Sequence, residues 1–161
     1  MANPVMRNRI ADYLNIGTTD APDFVVMGAG FTALDEQLNA QTESRAYISD
    51  TNLSTHTTSY QPQFAYKVDL MDDVDVITEL YDIGADRLVG EAAQRDYVRV
   101  DLWKGGMENE YPARLFRVEV QPDSNSGSGA AIVQVTGNLN QLGDAVKGTF
   151  NTVTRTFMKV V

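Results

Sequence analysis

Hydrophobic and polar residues alternate with a period of two through much of this chain, the spacing that puts successive side chains on opposite faces of a strand. In "RDYVRVDLW", residues 95–103, Tyr97, Arg99 and Asp101 share one face and Val98, Val100 and Leu102 the other. That pattern predicts a strand with one half-buried face. "LFRVEVQP" turns Phe116, Val118 and Val120 inward and Arg117, Glu119 and Gln121 outward, with Pro122 closing the run. "AAIVQVTG", 130–137, predicts its hairpin partner, with turn chemistry in "DSNSGSG" between them. "DFVVMG" predicts a short strand ended by the flexible Gly28–Gly30, and the Thr/Val/Phe-rich tail "KGTFNTVTRTFMKVV" predicts one or two final strands.

Helical spacing is rarer. "DDVDVITELYDIG" sets Val76, Ile77, Leu80 and Tyr81 in one stripe, with Asp72 or Asp73 as the expected cap and Gly84 as the expected left-handed stop. Near the N-terminus, Ile10, Tyr13, Leu14 and Ile16 approach helical spacing, but Asn8, Asn15 and Gly17 weaken it. A short helix and a docking arm over residues 1–20 both fit. In "LDEQLNAQTESRAYI" the pair Leu34 and Leu38 begins a stripe that Gln41 and Thr42 do not continue. From Thr42 onward Glu43, Arg45 and Tyr47 alternate with Ser44, Ala46 and Ile48, so the stretch reads as an extended turn running into a strand. The fold class predicted is mainly β: two packed antiparallel sheets, as a sandwich or barrel, with one flanking helix.

Length and composition fit this picture. A chain of 161 residues with 43% hydrophobic and 22% charged side chains forms one domain, 1–161, with its own core. Its formal net charge of -9 disfavours tight binding to nucleic acid or anionic lipid, since no run of Lys and Arg offers phosphate a foothold. The absence of cysteine removes disulfides and thiolate chemistry. With no signal-like or membrane-spanning run, the sequence predicts a soluble product made in the cytoplasm.

Few residues suggest catalysis. His56 stands alone in "STHTTSY", without a second ligand or triad partner. "GAGFTA" lacks the third glycine and the βαβ setting of a dinucleotide loop. Asp69, Asp72, Asp73 and Asp75 miss the calcium-loop spacing and suit a helix start better, where carboxylates meet the positive end of the dipole. No catalytic, metal or cofactor residue is therefore nominated. Trp103 with Tyr97 and Tyr111 leaves a second reading open, a β-sandwich carbohydrate-binding or adhesion module.

Together, "GAGFTALDEQLNAQTESRAYISD", "FAYKVDLMDDVDVITELYDIG", "YVRVDLW" and "VTGNLNQLGDAVKGTFN" resemble the major tail tube protein of tailed bacteriophages, over nearly all of the chain from Phe24 to Phe157. The resemblance implies two packed sheets with a helix, and a structural virion protein that joins into hexameric rings stacked as a hollow tube. Contractile tails and phage-derived particles would use nearly the same subunit. It further implies tape-measure, tail-terminator and baseplate or tip proteins as partners, and DNA passing through the lumen without specific binding. The location implied is the virion tail, assembled in the host cytoplasm. Closing a ring also removes the edge strands that a lone sheet exposes.

Subunit contacts are then nominated. The polar segment 49–63 is longer than an ordinary hairpin loop and is expected to reach a neighbour, with Asn52, Leu53, His56 and Tyr60 as contact residues. Glu43 and Arg45 are expected to serve a sheet face or subunit contact. In the N-terminal arm, Ile10, Tyr13, Leu14 and Ile16 need apolar cover from somewhere.

Overall fold

The computed structural model describes residues 2–105 and 107–160. Met1 and Val161, the outer ends of the predicted arm and tail strand, lie outside them. Ten strands and one α-helix follow in chain order: β1 (Ile10–Asn15), β2 (Phe24–Val26), β3 (Phe31–Gln37), β4 (Ala40–Arg45), β5 (Ser54–Tyr60), β6 (Gln63–Asp69), α1 (Asp75–Ala85), β7 (Gln94–Asp101), β8 (Glu110–Ser126), β9 (Gln134–Asn151) and β10 (Thr156–Lys159). Eight of the strands make one antiparallel sheet in the order β2-β1-β7-β8-β9-β6-β3, with β10 on the C-terminal half of β9. β4 and β5 form a separate hairpin.

The sheet curls on itself. β7 and β6 are three strand steps apart, about 14 Å in a flat sheet. The Phe64 ring of β6 nevertheless meets the Tyr97 ring of β7 edge-on with centroids 4.7 Å apart, and the Phe116 ring of β8 at 4.9 Å. Part of the bend comes from the β8–β9 pair, where Leu115↔Val146 and Arg117↔Leu142 leave two extra residues on β9 around Gly143, which takes φ 69°. The predicted packed layers are thus arms of one curved sheet, with the alternating Phe64, Tyr66 and Val68 and Phe116, Val118 and Val120 facing inward.

Helix α1 closes one end of this interior with Val76, Ile77, Leu80 and Ile83, the predicted stripe except that Ile83 joins it and Tyr81 is only half-buried. A second cluster on the opposite face of β1 and β7 packs Tyr13, Phe24, Val98 and Val100 around Phe150, whose ring centroid lies 4.5 Å from that of Tyr13. β7 is therefore covered on both sides, more fully than its alternation predicted.

Several boundaries differ from the sequence expectation. Val74, not Asp72 or Asp73, occupies the N-cap, without a side-chain bond. Gly84 stays inside the helix because α1 presses on β8 there: a Cβ at Gly84 would lie 3.1 Å from Pro122. Arg87 takes the left-handed position instead, with φ 54°, and the turn closes through Leu88 N–H to Ile83 O (3.1 Å) and Arg87 N–H to Gly84 O (3.2 Å). That six-to-one and five-to-two pair is a Schellman ending, and Leu88 packs back on the core. Pro122 does not end β8, which runs on to Ser126, because the outer edge of β8 has no partner beyond Glu119 and no N–H is needed there. The tight "GAG" corner is required by packing, since a Cβ at Gly30, φ 86°, would meet Ile77 Cδ1 at 2.7 Å.

Candidate assembly surface

Residues 2–20 are neither a helix nor a free arm. A single 3₁₀ turn, Arg7–Arg9, leads into β1, which is hydrogen-bonded between β2 and β7. Tyr13 and Leu14, nominated as docking residues, are 8% and 0% exposed. They find their cover inside the domain, and that corrects their nomination as subunit contacts. Ile16 is half-buried against the inner core, and Ile10 is half-buried as well.

Beside them lies a buried polar group that the sequence pattern did not reveal. Asp12 and Arg99 are 2% and 6% exposed, and Tyr97 donates its hydroxyl to Asp12 Oδ1 in a very short contact. Arg99 Nη1 stands 3.6 Å from Asp12 Oδ1, and Arg7 Nη2 donates to Asp12 Oδ2 at 2.7 Å and to the Leu34 carbonyl at 3.1 Å. Arg7 thereby ties β1 to β3 across the gap in the curl. Burial pushes the Tyr97 phenol well up, the Asp12 charge adds to this, and Arg99 opposes it. Burial disfavours the Arg99 charge, but Tyr97 and Asp12 outweigh it and hold the guanidinium above its ordinary value. Every member of this group has a partner, so it locks the strands rather than offering a reactive atom. Tyr97, being buried here, also drops out of the aromatic platform suggested with Trp103 and Tyr111.

The segment 49–63 is not a loop. Its central part is strand β5, paired with β4 from Ala40↔Tyr60 to Arg45↔Ser54 with a bulge at Gln41/Thr42. The expected strand from Thr42 to Ile48 ends at Arg45, and the expected turn at Leu34 to Leu38 is mostly strand β3. Asn39, with φ 47°, makes the corner between β3 and β4. Every residue from Gln37 to Gln61 is exposed, so this hairpin projects from the body as an arm.

Along one face of the arm, Glu43 pairs with Arg45 at 2.5 Å and lies opposite His56. On the other, Ser44 and Thr55 share a hydroxyl hydrogen bond of 2.9 Å. Asn52 and Leu53 sit in the turn and Tyr60 at the base. The turn also carries Tyr47 and Ile48, which the nominations omitted; with Leu53 they make three large apolar side chains exposed at one tip. Adjacent apolar residues within an otherwise polar stretch were the available signal. Among the described residues no group of three His, Cys, Asp or Glu side chains is placed to hold a metal ion, and no helix is long and apolar enough to cross a membrane.

Comparison with known proteins agrees on the architecture. No protein-family model and no curated protein sequence matches the chain. Among solved structures it is similar to the SPP1 tail tube, with a TM-score of 0.68 at 12% identity over 89% of this chain and 78% of that one. It is also similar to the tail of a GTA particle determined with C6 symmetry, TM-score 0.63 at 12% identity over 88% and 97% of the two chains. A chain of the sheath/tube terminator of the PVC extracellular contractile injection system gives 0.57 at 11% identity over 91% and 97%. The chain has the tail-tube fold.

Proposed function

We propose that this chain is a non-enzymatic structural protein of a virion or phage-like tail, whose copies join into hexameric rings that stack as a hollow tube for the passing genome. The observation that carries the reading is the projecting β4–β5 arm on a tail-tube body: a two-stranded hairpin is marginal by itself in water, and this one has no core residue under it. Contact with another copy supplies the missing cover. Glu43, Arg45, Asn52, Leu53, His56 and Tyr60 serve that contact, with Tyr47 and Ile48 as its apolar points. Ile10 and Ile16 remain nominated at the rim of the body.

The C6 symmetry of the GTA tail supports the ring number, and the PVC terminator supports a capping partner at the tube end. A tape-measure protein inside the tube and baseplate or tip proteins at its other end complete the partners, with assembly in the host cytoplasm. Six copies at -9 each carry a formal charge of -54. A lumen lined by part of that charge lets DNA slide, because adhesion needs cations that displace its counterions. Electron microscopy of the purified protein tests the reading: rings or tubes are expected, and a strict monomer at high concentration that binds glycans would overturn it. Reversing lumen acids to Lys should slow DNA ejection; unchanged ejection for each such variant would remove the electrostatic part alone.

A further inference from the structure

The inner face of the curled sheet ends, opposite α1, in a row of cations. Asp12, Arg99, Arg114 and Lys147 are direct cross-strand neighbours on β1, β7, β8 and β9. Three like charges side by side are unfavourable within one chain unless something answers them. Asp12 answers Arg99, and Glu36 of β3 holds Arg114 through two bonds of 3.0 and 3.2 Å. Lys147 is exposed and has no ion pair among the described residues. Lys104 and the half-exposed Trp103 border the same groove. Asp101 stands 3.8 Å from the exposed Lys104 ammonium, so on a chain of net charge -9 this mouth carries four cations against the three carboxylates Asp12, Glu36 and Asp101, with Lys147 the one left over among the described residues.

The other end of the same interior has the opposite character. Outside α1, a groove presents Asp72, Asp73 and Asp82 with Tyr81 and the 37% exposed Met71, and no cation lines it. The two surfaces are far apart: along β8, Arg114 faces the mouth while Pro122 touches Gly84 of the helix, eight residues and roughly 26 Å of strand away. Contact within one chain is therefore impossible.

We propose that the cationic mouth of one copy receives the acidic α1 groove of the next, with Lys147 and Lys104 facing Asp72 and Asp73, and Trp103 facing Met71. Two different complementary patches make a heterologous, head-to-tail contact, the kind that closes rings or extends filaments. The inference rests on the tube reading and assigns it one of its copy-to-copy interfaces.

The test uses full-length protein in three forms, K104E/K147E, D72K/D73K and the chain carrying all four changes, each checked for a wild-type melting transition. Lys147→Glu does not threaten the fold, since the new carboxylate lies opposite Arg114. Sedimentation and electron microscopy should show the assembly threshold of each double variant raised about tenfold or more, because like charges then face each other. The fourfold variant, and an equimolar mixture of the two double variants, should assemble like wild type. Double variants that assemble normally, or folded ones that neither mixing nor the fourfold change restores, overturn the pairing while leaving the tube reading intact. A wild type that forms no assembly at all sinks the tube reading and the pairing with it. Capture of a DNA duplex by the wild-type mouth, lost in K104E/K147E with assembly unchanged, would give the mouth to nucleic acid instead.

Discussion

β5 and β6 are neighbours in the chain, each seven residues long, separated only by Gln61 and Pro62. β6, "QFAYKVD", buries Phe64, Tyr66 and Val68 and leaves its other face less covered; β5, "STHTTSY", buries nothing. Both pair antiparallel, so the backbone is equally capable in each. The difference lies in what the alternating side chains bring. Large apolar residues on one face give a strand a core to join, whereas small hydroxylated residues on both faces give it only hydrogen bonds that water offers as well. The body of this molecule is stabilised by its own core, and its arm has none.

Substitutions should break this contrast unequally. Phe64→Ala removes a ring buried between Tyr97 and Phe116 and is expected to cost about 3–5 kcal/mol in denaturant unfolding. Ile48→Ser at the arm tip should change the same measurement by under about 0.5 kcal/mol while weakening assembly. Asp12→Ala leaves Arg99 buried without its carboxylate and should rival the Phe64 loss, about 3–5 kcal/mol; Asp12→Ala behaving like an arm variant would show that the locked polar group contributes nothing to the body.

Alkaline titration sharpens the comparison further. The Tyr66 hydroxyl is buried with no hydrogen-bond partner among the described residues. Its burial, aided by the charge of Asp123, pushes the phenol from 10.0 up to about 12. The unfolded chain thus ionises first as pH rises, so stability is whole below pH 10 and falls between 10 and 12. Tyr66→Phe should be neutral or slightly stabilising at pH 7 and should remove about 2–3 kcal/mol of the alkaline loss. An unchanged slope above pH 10 would mean that the loss comes from Tyr97 and Tyr13, whose phenols burial also raises. The smallest effect is expected in the free arm, where backbone amides of β4 and β5 should exchange with solvent faster than those of β6 and become protected on assembly.

Much of the body was legible because its strands alternate cleanly. The inward set on β8 and most of the stripe of α1 follow from period, and the pairing of β8 with β9 from period and the Ser/Gly turn, although β9 begins at Gln134 rather than at residue 130. β1 was missed for a definite reason: "IADYLN" is buried on both faces at Tyr13 and Leu14, so it shows no alternation and imitates helical spacing. β5 was missed for the opposite one, since a strand with no buried face has no hydrophobic period to read. The length and polarity of the segment nevertheless set it apart from an ordinary hairpin loop. What no local pattern could show was register: Asp12, Arg99, Arg114 and Lys147 come from four strands and become one row only when the sheet is aligned.

The proposed role of the arm is tested most directly by electron microscopy of wild-type protein beside a variant lacking Asn52–Ser59. Stacked rings or tubes are expected for the first, and a folded, unstacked subunit with nearly the same melting transition for the second. Normal tubes from the shortened chain would contradict it.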